Sequence, residues 1–251
     1  MQVGLIGAGN MARALARGWA EPVLCSDSGS GRARELAEEL GGEALESNRA
    51  VAEQADLVVL CHKPAQLRSV AAEIARHAKA VASVLGATPV ALLQDVYPGV
   101  PVFRFMPNTP VEVRRGLICY TPAPDPPAAL EREVLELFGR LGTVVQIEDR
   151  LLDPAAAVMS VGPAYQALLA EAQVDAAVRH GLGALLAARL VVETMAGTAA
   201  LLAARGYDTL AVRREVTSPG GTTARGLAAL ERAGVRSAFQ SAIDAVLGGA
   251  R

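Results

Sequence analysis

The chain has 251 residues, with 24 basic and 26 acidic side chains for a net charge of −2, and it is 51% hydrophobic but only 4% aromatic. Near-neutral charge excludes a general nucleic-acid or acidic-membrane surface, while the length allows one or two domains around a large core of Ala, Leu and Val. Cys25, Cys61 and Cys119 lie far apart, with no C-x-x-C pair and no histidine at ligand spacing. No metal site is expected, and a reduced, cytoplasmic protein is.

An apolar strand pattern begins directly after Met1, with no basic leader or cleavage site, so no export signal is expected. Short apolar runs at 3–6, 23–25, 57–61, 80–84, 102–105, 117–120 and 144–147 alternate with helical patterns near 11–20, 32–40, 66–77 and 128–141. This alternation predicts a doubly wound, mostly parallel sheet. The Pro-rich run at 121–127 reads as a surface loop. Strand signals stop after Asp153-Pro154, and Ala- and Leu-rich helices follow, broken at Gly181, at Gly206 and at a Ser-Pro-Gly-Gly turn. The expected plan is an α/β domain over residues 1–153 and an all-α domain over residues 154–251. Its most apolar stretch, 182–204, carries Arg189 and Glu193 inside it, which lipid would tolerate poorly. It is expected to be a buried helix of a soluble protein at a subunit interface, not a membrane span.

The first strand runs into Gly7-Ala8-Gly9-Asn10-Met11-Ala12, a G-x-G-x-x-A pattern that opens a helix. Gly7 permits a tight turn, Gly9 lets the backbone approach a pyrophosphate, and Ala12 lets helix and strand pack closely. Asp27 follows Gly7 by 20 residues, where an acid accepts hydrogen bonds from an adenosine ribose and favours NAD. Ser26, Ser28, Ser30, Arg32 and Arg34 surround it, and hydroxyls with arginines can receive a 2′-phosphate instead. Cys61-His62-Lys63-Pro64 ends a strand at the edge that faces the ligand crevice of such sheets, making Lys63 and Pro64 candidate cofactor contacts. His62 has no partner visible in sequence and reads as local packing. In Met106-Pro107-Asn108-Thr109-Pro110, Asn108 can present its amide to a cofactor or substrate. Near the C-terminus, Val216 to Thr223 reads V-T-S-P-G-G-T-T ahead of a helical pattern at 224–233. Such a turn aims backbone N–H groups of Gly220, Gly221, Thr222 and Thr223 at one point, with Ser218 adding a hydroxyl, and suits a small anion. The plainer alternative is a capped turn that starts a helix.

Four landmarks together resemble the pyrroline-5-carboxylate reductases: the Gly7–Ala12 turn, Arg104 to Pro110, Gly162-Pro163-Ala164-Tyr165 opening a helix, and Thr217 to Thr223. They span essentially the whole chain. The resemblance implies a Rossmann domain followed by a helical dimerisation domain, in a homodimer or a ring of dimers. It implies reduction of a cyclic imine bearing a carboxylate, 1-pyrroline-5-carboxylate, to L-proline by hydride from NADPH or NADH. The turn would hold the carboxylate, and Thr223 would place a proton at the nitrogen. Family grounds favour NADPH, whereas Asp27-Ser28 departs from the Asn-Arg or Ser-Arg of NADP-preferring members and favours NADH. Val161 stands where the family usually has a small polar residue ahead of Gly-Pro-Ala-Tyr, and Glu193 where Gln is usual. One alternative is a related imine or β-hydroxyacid reductase, but such enzymes use a Lys of the second domain, and Lys63 and Lys79 both precede it. The other is a dinucleotide-binding sensor without catalysis, which Val161 keeps open.

Overall fold

The computed structural model describes residues 1–248. In chain order the first part comprises β1 (Val3–Ile6), α1 (Asn10–Trp19), β2 (Leu24–Ser26), α2 (Arg32–Leu40), β3 (Glu43–Ala44), α3 (Asn48–Gln54), β4 (Leu57–Leu60), α4 (Leu67–Ile74), β5 (Val81–Ser83), α5 (Val90–Val96), β6 (Val102–Pro107), β7 (Gly116–Pro122), α6 (Ala128–Gly139), β8 (Gly142–Gln146) and α7 (Leu152–Met159). The eight strands form one sheet in the order β3-β2-β1-β4-β5-β6-β7-β8. Every pairing is parallel except β6 with β7. The expected doubly wound sheet is therefore present, with a two-residue edge strand, β3, and the short helices α3 and α5 beyond the predicted elements.

Helices on both faces explain why β1 and β4 read as unbroken apolar runs. Alternate side chains enter two separate cores. Val3, Leu5, Leu57, Val59, Phe103 and Phe105 pack with α1 and α6 on one face, whereas Ile6, Val58, Leu60 and Val102 pack with α3, α4 and α5 on the other. The few aromatics are concentrated on the first face: Phe105 stacks on Phe138 at 3.9 Å between ring centroids and on Tyr120 at 4.9 Å. Trp19 donates its indole N–H to the Leu137 carbonyl at 3.0 Å, so even the largest core residue has its polar atom satisfied. A smaller cluster of Met106, Cys119, Leu152 and Met159 fastens α7 to the sheet. Buried Arg104 pairs with Asp149 at the entry to α7, and Asp149 also accepts the Val90 N–H at 3.3 Å.

The chain divides into two compact units, Met1–Pro163 and Ala164–Arg251. Past α7 come α8 (Gly162–Arg179), α9 (Ala184–Ala204), α10 (Thr209–Glu215), α11 (Thr222–Arg232) and α12 (Val235–Gly248). Within the second unit Asp208 caps α10 by accepting the N–H groups of Leu210 and Ala211, and Tyr165 meets Phe239 edge-on at 6.3 Å. Burial there is sparse. The helix expected to be buried, α9, has a mean hydropathy of 1.6, but only 6% of that apolar window is buried. By length and composition it is apolar enough to cross a membrane. Leu185, Leu186, Leu190 and Val192 are all at least half exposed, so one copy of the chain does not supply the burial that this helix was expected to have.

Candidate functional site

A crevice opens where the strand order reverses between β1 and β4, the usual ligand position in an open parallel sheet. Ile6 ends β1, and Gly7 turns the chain with φ +97° while donating its N–H to the Ser26 carbonyl at 2.9 Å. A Cβ at Gly7 would lie 2.8 Å from backbone atoms of Cys61 and His62, so both the turn and its contact require glycine. Gly9 precedes α1 in extended conformation, and no side chain caps the helix. The first N–H groups of α1 are therefore free for an anion, reinforced by the helix dipole. A Cβ at Gly9 would meet nothing within 4 Å, leaving the backbone open to a ligand.

The resulting cavity has a volume of about 530 Å³ and is bounded by Gly7, Ala8, Gly9, Asn10, Met11, Asp27 and Lys63 among the residues predicted for it. Ser28, Ser30 and Arg32 share its wall, as does Asn48, which sequence reasoning does not find. Asn48 carries no local signal: it reaches the site because β2 lies beside β1, and its side-chain oxygen accepts the Ser26 hydroxyl at 2.8 Å. Ser26 is itself 1% exposed, and that bond directs its hydroxyl to Asn48. Pro64 starts a short 3-10 turn, Pro64–Gln66, and lies outside the cavity lining. Asn108 is also absent from the lining. Its side-chain oxygen accepts the Leu117 N–H at 2.9 Å and its NH2 donates to the Met159 carbonyl at 3.2 Å, which ties β7 to the end of α7.

Asp27, at the cavity wall, also serves the adjoining loop. One carboxylate oxygen accepts the Gly29 N–H at 2.8 Å, and the other accepts the Ser30 hydroxyl at 2.7 Å and the Ala33 N–H at 2.9 Å. Burial works to raise its pKa, but these hydrogen bonds outweigh burial and hold the carboxyl below its ordinary range. Asp27 thus organises the loop that leads into α2, with Gly29 at φ +89° and Gly31 at φ +80°. Cys61 offers no nucleophile, because burial pushes its thiol up to about 12. The open glycine turn, the uncapped helix and the cavity of about 530 Å³ beside them fit a dinucleotide.

The second glycine turn ahead of a helix lies in the other unit. Gly221 donates its N–H to the Ser218 carbonyl at 3.1 Å, closing a turn with Pro219 and Gly220 at its centre and φ +69° at Gly220. This corrects one expectation from the sequence: the Gly221 N–H is used by the turn itself. Gly221 is needed for space, since a Cβ there would lie 2.4 Å from Ser218 Oγ. Helix α11 then opens without a side-chain cap and without an acid in its first turn. The N–H groups of Thr222, Thr223 and Ala224 have no acceptor within the helix, and Arg225 adds positive charge beside them through its bond to the Gly220 carbonyl at 3.0 Å.

Residues 149–251 match the family description "Pyrroline-5-carboxylate reductase dimerisation", and residues 2–86 match "NADP oxidoreductase coenzyme F420-dependent". The chain is 35% identical to a pyrroline-5-carboxylate reductase of Thermus thermophilus, over 98% of this chain and 95% of that one. It superposes with a TM-score of 0.90 on the 1-pyrroline-5-carboxylate reductase of Streptococcus pyogenes, 29% identical over 100% of this chain and 98% of the other. A Plasmodium falciparum pyrroline carboxylate reductase solved with NADP bound gives 0.87 at 27% identity, over 98% and 95% of the two chains.

Proposed function

Because this chain belongs to the pyrroline-5-carboxylate reductase family and reduces 1-pyrroline-5-carboxylate to L-proline with NAD(P)H, we propose that its two uncapped helix N-termini divide the work of binding. The start of α1, with Gly7, Ala8, Gly9, Asn10 and Met11, holds the dinucleotide, and the start of α11 holds the substrate carboxylate. The observation that carries this reading is the absence of a cap or first-turn acid at both helices. Each end presents several N–H donors and positive dipole to an anion.

When bound, the nicotinamide supplies a hydride to the imine carbon. The chain's own residues position the acceptor and manage one proton. The N–H groups of Gly220, Thr222 and Thr223 hold the carboxylate, the Ser218 hydroxyl adds a contact, and the close packing of Gly221 under Ser218 keeps the turn rigid. Fixing the carboxylate fixes the imine carbon, which is where most of the rate enhancement of such a reaction arises. As hydride adds, the C=N bond becomes C–N and the nitrogen must carry a proton; the Thr223 hydroxyl holds it there. The chemistry requires no nucleophile.

The preferred donor is NADPH. An acid after β2 selects NADH when its oxygens turn to the adenosine ribose, and three of the roughly four acceptor positions of the Asp27 carboxylate already serve the loop from Gly29 to Ala33. Ser28, Ser30 and Arg32 remain at the cavity wall to meet a 2′-phosphate. Wild-type enzyme is expected to show a higher kcat/KM with NADPH than with NADH. Arg32→Ala should lower the NADPH value roughly ten- to hundredfold, the loss of one charge-assisted hydrogen bond, and change the NADH value by less than about twofold. Equal effects on both donors would remove Arg32 from 2′-phosphate recognition.

Oligomerisation engages the C-terminal helices, and the exposed leucines of α9 are the surface a second copy covers. A homodimer is the smallest assembly that does so, and rings of dimers extend it. Three free cysteines, two of them buried, accord with a cytoplasmic enzyme.

A further inference from the structure

His62 follows β4 closely, on the wall of the dinucleotide cavity and against the Gly7 turn. Its Nδ1 lies 2.9 Å from the Lys63 carbonyl oxygen. A carbonyl only accepts, so Nδ1 carries the hydrogen, and in the neutral ring Nε2 is left as an acceptor with one lone pair. Nε2 is buried and has no hydrogen-bond partner among the described residues. Burial lowers the pKa of the ring, against a smaller opposing effect of the Lys63 bond, and keeps His62 neutral near pH 7. A buried acceptor without a partner is uncommon and costs stability. Here the residue that carries it lines a cavity.

We infer that His62 is a cofactor-binding residue of this enzyme, its Nε2 accepting a hydrogen bond from a ribose hydroxyl of the dinucleotide. The chemistry of the ligand narrows the choice of partner: phosphate oxygens of the pyrophosphate or of a 2′-phosphate only accept and cannot pair with a lone pair, whereas ribose hydroxyls donate. The inference rests on the dinucleotide reading of the crevice. It adds a side-chain contact to the backbone donors of the Gly7 to Met11 turn, and it makes no distinction between NADH and NADPH. That indifference separates His62 from Arg32.

Direct binding tests it. Kd values for NADH and for NADPH are measured by calorimetry on wild-type enzyme, on His62→Phe, which keeps a ring but no acceptor, and on His62→Gln, whose amide oxygen reaches about as far as Nε2. His62→Phe is expected to weaken both cofactors by the same factor, roughly five- to thirtyfold, and His62→Gln to recover part of that loss. In wild-type enzyme the ¹⁵N resonance of His62 Nε2 should have the shift of an unprotonated nitrogen and move on saturation with NADH; with only three histidines in the chain the assignment is direct. A folded His62→Phe that binds both cofactors as tightly as wild type overturns the inference, as does a loss confined to NADPH. If His62→Phe does not fold, a wild-type Nε2 resonance that NADH leaves unmoved overturns it equally. Failure of wild-type enzyme to bind either NADH or NADPH would instead count against the dinucleotide reading of the crevice.

Discussion

Thr223→Ala lowers kcat roughly tenfold to a thousandfold and raises the KM for 1-pyrroline-5-carboxylate by a smaller factor. The split follows from where the residue sits. Its backbone N–H belongs to the first turn of α11, and alanine keeps that donor, so the carboxylate cradle survives. Its side chain does not cap the helix, and alanine is the better helix former by a few tenths of a kcal/mol, so stability is preserved. What disappears is the hydroxyl proposed to hold a proton at the imine nitrogen as hydride arrives. Thr223→Ser, which restores a hydroxyl, should recover most of the turnover. Steady-state kinetics with varied substrate at saturating NADPH make the measurement, and unchanged turnover in Thr223→Ala would remove Thr223 from the mechanism.

Leu186→Glu with Leu190→Glu is expected to reduce the assembly to single chains of 26.0 kDa. The two positions are one helical turn apart on α9 and so share a stripe. Both are about half exposed in the isolated chain. In a two-fold interface each substitution counts twice. Fully burying a leucine is worth about 1.5–3 kcal/mol, and about half of each remains to be covered, so a dimer that buries all four loses roughly 3–6 kcal/mol, about two to four powers of ten in Kd, in addition to the cost of desolvating the introduced carboxylates. Sedimentation velocity on wild-type and variant protein makes the test. A wild-type enzyme that sediments only as a 26.0 kDa species would refute the interface.

Several features of the site are legible in the amino-acid order because they are local. Gly7 and Gly220 have positive φ, Gly221 accepts the close approach of Ser218, and Pro219 restricts its own φ. These constraints act within a few residues, so a short motif carries them. Asp27 shows what local reading leaves out. Its spacing from Gly7 places it at the cavity, and the structure adds that its carboxylate also accepts from Gly29, Ser30 and Ala33. Those bonds depend on how the loop closes, which spacing does not encode. Asn108 adds contacts over longer range that the sequence does not show, since the Leu117 and Met159 groups it binds are brought to it by β7 and by the docking of α7.

From the sequence alone come the alternation that makes a doubly wound sheet, the two glycine turns ahead of helices, the absence of a lysine in the C-terminal region and the four landmarks of the family. Each is a matter of residue type and spacing. Only the tertiary structure decided that Asn48 and His62 border the cavity beside the Gly7 turn, that Ser26, Pro64 and Asn108 lie outside its lining, and that α9 keeps its leucines exposed. Sheet order sets which distant residues share a wall. Burial depends on how much apolar surface the rest of one chain covers, and composition reports the apolar surface of α9 without its cover.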